Sequence, residues 1–527
     1  MNRRKIKRRE SEMQQQKVFL AGASGSMGYE AFKNLWARRA EFDIILLQRP
    51  SKKNKKLFKK YEKECNINSI PGKGVVKGKG LKIVWGDATN YEDVLEACQG
   101  IDWCLCPMAF ISPAADHNPE MAKAVNTTAI EHIVKAIEAQ SNGANHIKFV
   151  YTGTVAETGD RLQTIHWTRV GDPLKPSIFD FYAVTKISGE QAVLESNIKH
   201  WVSLRQTFIM TTDEMEDSIM FHQPIDTFME NNTKEDAGRG LINCLDIPDD
   251  SDFWRRVYNM AGGPSCKTTY YHLLKSAMDM NGLRLEKVFE RKWFALRNFH
   301  MQFYEDSHVL NNYISNWNES IEDYYQRMRE SRPFTLKLIA KLCKNISFIR
   351  NLIEKATYNR MKALASAKNG TLYWYENKNN LRITAFYKDY NTYDSIPDWG
   401  IDMPEMDSNK IDWYRLDHGY NESKEQLEIE DLKGAARFRG GECISKEWDG
   451  DMYANVQWKC AFDHEFKGKP YTILKAGHWC PECLAPPWNY DEIARKNPFF
   501  AQVWYPNHEK DEHNFYPEDC YKDIVED

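Results

Sequence analysis

No apolar stretch in these 527 residues approaches the roughly 20 that a membrane-spanning helix needs. No secretory signal is visible either. Met1 to Arg9 is basic, but no apolar core or small-residue cleavage site follows it, because the next apolar run is the first strand. Residues 1–16 are therefore expected to form a solvated, disordered basic tail, with Met13 as a second candidate start. Neither sign of charge is in excess: 71 Lys and Arg stand against 75 Asp and Glu, a formal net charge of -4, which gives no general reason to expect a nucleic acid or an anionic membrane as partner. A cysteine framework is missing as well. The 12 Cys are scattered, and Cys98, Cys104 and Cys106 fall in core-like segments, which points to a reducing compartment, with the cytoplasm as the expected location. No internal repeat is present. What remains is the composition of an ordinary globular protein, 42% hydrophobic and 28% charged.

The most informative stretch is Lys17-Val-Phe-Leu-Ala-Gly-Ala-Ser-Gly-Ser-Met-Gly28, an apolar strand running into three glycines before a helix that reads from Tyr29. Gly22 allows a tight strand-to-helix turn, Gly25 lets backbone N–H groups approach a pyrophosphate, and Gly28 lets the helix pack closely on the sheet. Ser24, Ser26 and Met27 complete the candidate cofactor-binding turn. Strand candidates follow at 18–21, 43–48, 81–85, 103–106, 147–151 and 202–206, most of them separated by helical segments such as 122–139. That alternation implies a doubly wound parallel sheet of Rossmann type.

The expected organisation is a nucleotide-binding domain over 17–215 and a smaller substrate lobe over 216–330, whose strands return to the core near 255–262. An extension over 331–436 and a metal-binding module over 437–527 follow. Within the extension, residues 335–364 hold seven Lys and Arg against one Glu, with apolar residues at helical spacing. Such a helix can lie on a membrane, but a helix docked on the protein with a solvated basic face is the favoured expectation. Thr371 to Glu376 and Leu381 to Tyr387, flanking an Asn-rich turn, suggest a β-hairpin.

Tyr182-Ala-Val-Thr-Lys186 is the second informative motif. Residues four apart on a helix share a face, so a phenol and an ammonium can reach one site, where the ammonium favours the phenolate. Thr154 sits just beyond a predicted strand end, where open α/β sheets place their sites.

The ordered set Gly22/Gly25/Gly28, Gly86-Asp87, Asn126, Thr154, Tyr182/Lys186, Glu235-Asp236-Ala237 and Tyr258-Asn259 with Gly262-Gly263 resembles the extended short-chain dehydrogenase/reductase family over residues 17 to about 285. The resemblance implies Tyr182 as general acid/base, Lys186 as the group that binds the nicotinamide ribose and tunes Tyr182, and Thr154 as the group that orients the reacting carbonyl or alcohol. It implies an adenine contact for Asp87, whose alternative role is to cap the next helix. Asn126 would lie beside the site or serve helix packing.

Several family features are absent, and each absence narrows the chemistry. The second strand ends in Leu47-Gln48-Arg49-Pro50, with no carboxylate to accept ribose hydroxyls. Arg49 can instead pair with a 2′-phosphate, so NADP is favoured over NAD. Thr154 is followed by Val155-Ala156 and not by the Asp-Glu of sugar dehydratases, and residues 207–212 lack the Asn-x-Tyr-Gly-Pro pattern of sugar-nucleotide enzymes. The leading expectation is a reductase that transfers hydride reversibly between nicotinamide and a carbonyl or alcohol. The alternatives are an NAD-dependent nucleotide-sugar epimerase and an NAD(P)-sensing regulatory protein. Trp254, Tyr270, Trp293, Phe294, Phe299 and Phe303 suit either an apolar substrate pocket or a core.

Near the C-terminus, Cys460-x3-His464 and Cys480-x2-Cys483 are separated by 15 residues. Two ligands on each of two turns can close a tetrahedral zinc site, and soft thiolates with one imidazole select zinc. His478 and Cys443 are reserve ligands. The stretch resembles zinc-ribbon or treble-clef modules, and four protein ligands imply a structural role. Acidic neighbours supply no basic stripe, so a nucleic-acid partner is not expected. The expected partner is a small-molecule substrate, without a membrane, and with a homodimer left open. Zinc loss is expected to unfold the last ~90 residues while sparing the cofactor site.

Overall fold

The computed structural model describes residues 15–162, 167–212, 216–400 and 414–525. The expected basic tail falls mostly outside them. An eight-stranded sheet organises the molecule: β1 (Gln16–Ala21), β2 (Phe42–Gln48), β3 (Gly74–Gly78), β4 (Leu81–Trp85), β5 (Trp103–Cys106), β6 (Lys148–Thr154), β7 (His200–Gln206) and β8 (Arg256–Met260). Their spatial order is β8-β7-β6-β5-β1-β2-β4-β3, and every pair is parallel except β3 with β4. β3, not foreseen from the sequence, pairs antiparallel on the edge, with Val76 its only fully buried side chain.

Both faces of the sheet are covered, which is why its central strands are apolar without alternation. Alternate side chains nonetheless go to different cores. Val18, Leu20, Ile44, Leu46 and Leu105 pack with α1 (Ser26–Ala37) and α2 (Lys52–Glu64). Phe19, Ala21, Ile45, Cys104 and Tyr151 face the other way, toward α3 (Tyr91–Cys98), α4 (Ala129–Glu138) and α5 (Phe181–Leu194). The lysine-rich α2 buries only Asn54, Phe58, Tyr61 and Glu62, so its other faces are solvated as expected. α6 (Lys234–Asn243) and α7 (Tyr270–Asn281) belong to the second lobe, each capped by the threonine before it.

Two expectations for the extension are corrected. The single helix over 335–364 is two helices, α8 (Phe334–Asn345) and α9 (Ser347–Ala365), because Ile346 adopts an extended conformation between them. The hairpin over 371–387 is also two helices, α10 (Thr371–Glu376) and α11 (Asn380–Tyr387). Ile383, Phe386 and Tyr387 are buried at helical spacing, and the Asn379 side chain accepts the Arg382 N–H at 3.1 Å, so the Asn-rich turn is a helix cap.

The C-terminal module is built on α12 (Ile429–Phe438) and a small antiparallel sheet of β9 (Glu442–Cys443), β10 (Val456–Lys459) and β11 (Glu465–Gly468). Its core joins Leu432 and Ala435 of α12 to Trp458, Ile473 and Leu474. Among the described residues no helix is long and apolar enough to cross a membrane.

Candidate functional site

The turn between β1 and α1 is shaped by its glycines. Gly22 has φ of +94°, and a Cβ there would sit 2.8 Å from the Met108 Cα. A Cβ at Gly28 would lie 2.1 Å from the Gly22 carbonyl oxygen, so the first turn of α1 packs on the loop only if residue 28 is glycine. Gly25 differs. It is exposed, and a Cβ there would meet only the Gly22 oxygen at an ordinary 3.6 Å. Nothing in the protein's own packing demands glycine at 25, which leaves that small surface for an incoming group. Gly25 is also the N-cap of α1 and has no side chain to satisfy the helix's first N–H groups, so they remain available to an anion. Ser24 and Ser26 flank it at the surface, whereas the Met27 side chain is buried in the core.

Arg49, just beyond β2, is exposed and forms no ion pair among the described residues. The Asp87 carboxylate accepts the Thr89 N–H at 3.0 Å and the Thr89 hydroxyl at 2.9 Å. It does not cap α3, a role filled by Asn90, which accepts the Glu92 and Asp93 N–H groups. Asn126 is buried, bonded to both backbone groups of Phe110 and to the Thr185 hydroxyl, so it ties the loop after β5 to α5.

Thr154 ends β6, and Tyr182 and Lys186 stand one turn apart on α5, which packs against that strand. Burial pushes the Tyr182 phenol above its ordinary range, and the neighbouring Thr154 hydroxyl only partly offsets this. Lys186, one turn along α5, is fully buried. Its Nζ donates to the Thr152 carbonyl at 2.6 Å and lies 4.2 Å from the centre of the Tyr151 ring. Desolvation pushes this ammonium down to about 8, against the opposing pull of Cys106, Glu157 and Glu190. Lys186 is thus anchored on β6, and the expected lowering of the Tyr182 phenol gives way to the effect of burial. Asp180 caps α5 through the Ala183 N–H at 2.8 Å, and its other oxygen lies 3.4 Å from His300 Nδ1, which brings the second lobe to the same end of the helix. Of the six aromatics considered for a substrate pocket, only Phe299, stacked on His300, reaches this place; the other five are buried.

Two polar atoms at the strand ends fit a polar ligand. Thr152 Oγ1 and Gln206 Oε1 are buried without a hydrogen-bond partner, and Gln206 is the register neighbour of Thr154. A cavity of about 180 Å³ lies elsewhere, among Ile225, Asp226, Arg291, Phe294 and Pro397.

Sequence reasoning missed the charged network behind the site. Glu190, one turn beyond Lys186, accepts from Arg205 Nη2 at 2.6 Å, the Ser203 hydroxyl at 2.6 Å and His478 Nε2 at 2.8 Å. Arg205 also lies 3.3 Å from Glu157 and donates to the Ala476 carbonyl at 2.8 Å. Glu157 in turn accepts the Thr154 N–H at 3.0 Å. Burial raises Glu190, but Arg205 and His478 outweigh it and hold the carboxyl below its ordinary range. Burial and the neighbouring Glu190 push Glu157 well above its own. The two acids that share the guanidinium are thus pushed in opposite directions. The available signal was the spacing: Tyr182, Lys186 and Glu190 recur every four residues along one helix face.

Cys460, His464, Cys480 and Cys483 converge, with their ligand atoms all within 4.8 Å of one another. Tetrahedral zinc with bonds of about 2.3 Å to sulfur and about 2.0 Å to nitrogen places sulfurs about 3.8 Å apart and sulfur about 3.5 Å from nitrogen. The Cys460 and Cys483 sulfurs are 3.8 Å apart, and His464 Nδ1 lies 3.4, 3.4 and 3.6 Å from the sulfurs of Cys460, Cys480 and Cys483. These four residues could hold the ion. His464 Nε2 points toward Glu482 at 3.7 Å, an outer partner for the imidazole. The reserve ligands are not used: His478 serves Glu190, and Cys443 is buried in the module's core.

No family model matches the chain, and no curated protein matches it. Solved structures do. WbmG of Bordetella bronchiseptica, in complex with NAD, has 13% identity and a TM-score of 0.45, covering 62% of this chain and 97% of that one. DesIV from Streptomyces venezuelae, a dTDP-glucose 4,6-dehydratase with NAD and TYD bound, has 14% identity and a TM-score of 0.46, covering 60% and 96%. WbmF of Bordetella bronchiseptica, in complex with NADH, has 16% identity and a TM-score of 0.42, covering 66% and 99%. Likeness at this level carries no argument about activity, and the fold stands on the strand order given above.

Proposed function

We propose that this chain is an NADP-dependent oxidoreductase of the extended short-chain type, interconverting a carbonyl and an alcohol. The observation that carries the reading is the Thr154–Tyr182 hydroxyl pair at the end of β6, with Lys186 one turn along the same helix. When bound, the nicotinamide would supply or accept the hydride. Tyr182, kept as a neutral phenol by burial, gives its proton to the oxygen that gains charge as the carbonyl is reduced. Thr154 holds that oxygen in line with the phenol. Lys186 contributes positive charge beside both and a donor for the nicotinamide ribose. The Gly22–Gly28 turn, with Ser24 and Ser26 beside it, holds the pyrophosphate; Arg49, with the lysines of α2 behind it, favours a 2′-phosphate. Cys460, His464, Cys480 and Cys483 hold a structural zinc, since four protein ligands leave no open position.

The test follows NADPH oxidation over a panel of aldehydes and ketones. Tyr182→Phe should lower kcat by about 10²–10⁴-fold while leaving NADPH affinity, read by fluorescence titration, unchanged. Equal turnover in the variant would reject the mechanism. A second reading, an NADP sensor, is favoured by the engagement of Lys186 with the Thr152 carbonyl. It predicts tight NADPH binding without turnover on any substrate.

A further inference from the structure

The two helices of the basic segment share a pattern that neither the core nor the candidate site uses. α8 carries Phe334, Leu338 and Lys341, and α9 repeats the same residue types at the same spacing in Phe348, Leu352 and Lys355. Positions i, i+4 and i+7 lie on one helix face. In both helices this face points away from the protein: Phe334 is 77% exposed, Phe348 78% and Leu352 59%. The opposite faces are already satisfied. Ala340 and Cys343 of α8, with Met361 and Ala365 of α9, are buried against the second lobe. The outward apolar residues are therefore not an unfinished core contact among the described residues, and contiguous exposed apolar surface of this kind marks an interaction site.

Charge identifies the occupant. Lys337, Lys341, Lys344, Lys355 and Lys362 are all exposed and form no ion pair with a carboxylate among the described residues. The one acid of the segment, Glu354, is turned inward, where it accepts from the Arg284 backbone N–H at 2.9 Å and from its guanidinium at 2.6 Å. The outward face is thus apolar and cationic, with no acid, on a protein whose net charge is -4. A protein partner would need an acidic rim around an apolar groove. An anionic lipid surface offers both features everywhere, with headgroups for the lysines and acyl chains for Phe and Leu.

We propose that the α8–α9 elbow lies on an anionic membrane surface, with the Phe–Leu pair of each helix inserted at the headgroup boundary and the lysines at the phosphates. The association is peripheral and reversible, since the inserted side chains are few. The segment is docked on the second lobe with its basic face solvated, as expected, and the proposal adds what that face meets.

The test uses the full chain and sedimentation with vesicles of phosphatidylcholine alone or with about one third phosphatidylserine. The protein should pellet with the mixed vesicles, stay in solution with phosphatidylcholine alone, and detach as salt rises. F348D/L352D and K341E/K344E/K355E should each reduce partitioning by about tenfold or more, with circular dichroism and Tm unchanged because these side chains are solvated. Three outcomes would overturn the proposal: no wild-type pelleting, pelleting indifferent to both variants, or a wild-type dimer in solution that F348D/L352D makes monomeric, which would assign the face to a second copy of the chain.

Discussion

The three glycines of the first turn respond to different pressures, and substitution should separate them. At Gly28 a methyl group collides with the Gly22 carbonyl oxygen, whereas at Gly25 it meets nothing closer than 3.6 Å. Gly28→Ala should therefore lower Tm and nucleotide affinity together. Gly25→Ala should leave Tm within about a degree and still weaken NADPH binding by about tenfold or more, because the methyl group stands where the pyrophosphate approaches. Differential scanning fluorimetry with NADPH titration distinguishes these outcomes. Lys186 sets a second expectation. Its ammonium, pushed down to about 8 by desolvation, carries its charge below that pH and loses it above. Reductive kcat/KM should fall as pH rises through about 8. Lys186→Arg, which stays protonated, should remove that limb of the profile even if its absolute rate is lower.

Among the elements, α5 has the most partners. Its N-terminus is capped by Asp180, its middle carries Tyr182, Lys186 and Glu190, and its C-terminal carbonyls at Leu194 and Ser196 accept from the Lys469 ammonium at 2.9 and 2.6 Å. A cation on those carbonyls is favourable at a helix C-terminus. Arg205→Met should destabilise the protein by about 3–5 kcal/mol, because it strands Glu190 without its main counter-charge. Adding Glu190→Gln should recover part of the loss, as urea denaturation can measure. The central strands were legible because uninterrupted apolar runs between helices have few other readings; 81–85 and 103–106 lie where the sequence placed them. The convergence of Cys460, His464, Cys480 and Cys483 was legible because each half of the set is a short local motif, and Tyr182 and Lys186 share a helix face for the same reason. The helices at 371–387 were not: their aromatic residues suit a strand equally well, and only the tertiary core around Trp374 and Phe386 decides between them. The Glu190–Arg205–His478 network was hidden for a related reason, since its members are brought together by the fold and not by sequence proximity.

At the scale of the whole molecule, the Cys/His segment is part of the frame of the nucleotide-binding-type sheet. Tyr471 and Ala476 pack in the core beneath the sheet, and the Tyr471 hydroxyl accepts the Val257 N–H of β8 at 2.9 Å. His478, two residues before Cys480, reaches Glu190 on α5. These contacts argue for coupling between the Cys/His segment and the sheet, in place of the independence expected from the sequence. A strong chelator should lower the Tm of the nucleotide-binding domain along with that of the module and weaken NADPH binding, and added zinc should restore both. A nucleotide-binding transition indifferent to the chelator would show that the two parts are energetically separate.

The contact between Arg205 and the Ala476 carbonyl spans 271 residues, and it sets an order of events at the ribosome. β7 and α5 are synthesised long before the segment that closes over their buried charges. Until residues 469–478 emerge, Arg205 and Glu190 have each other but not the Ala476 carbonyl and His478, and water must take those places. Only in about the last tenth of translation is the shell around Arg205 and Glu190 completed, and a message cut short before then would release a chain in which α5 lacks its C-terminal cover.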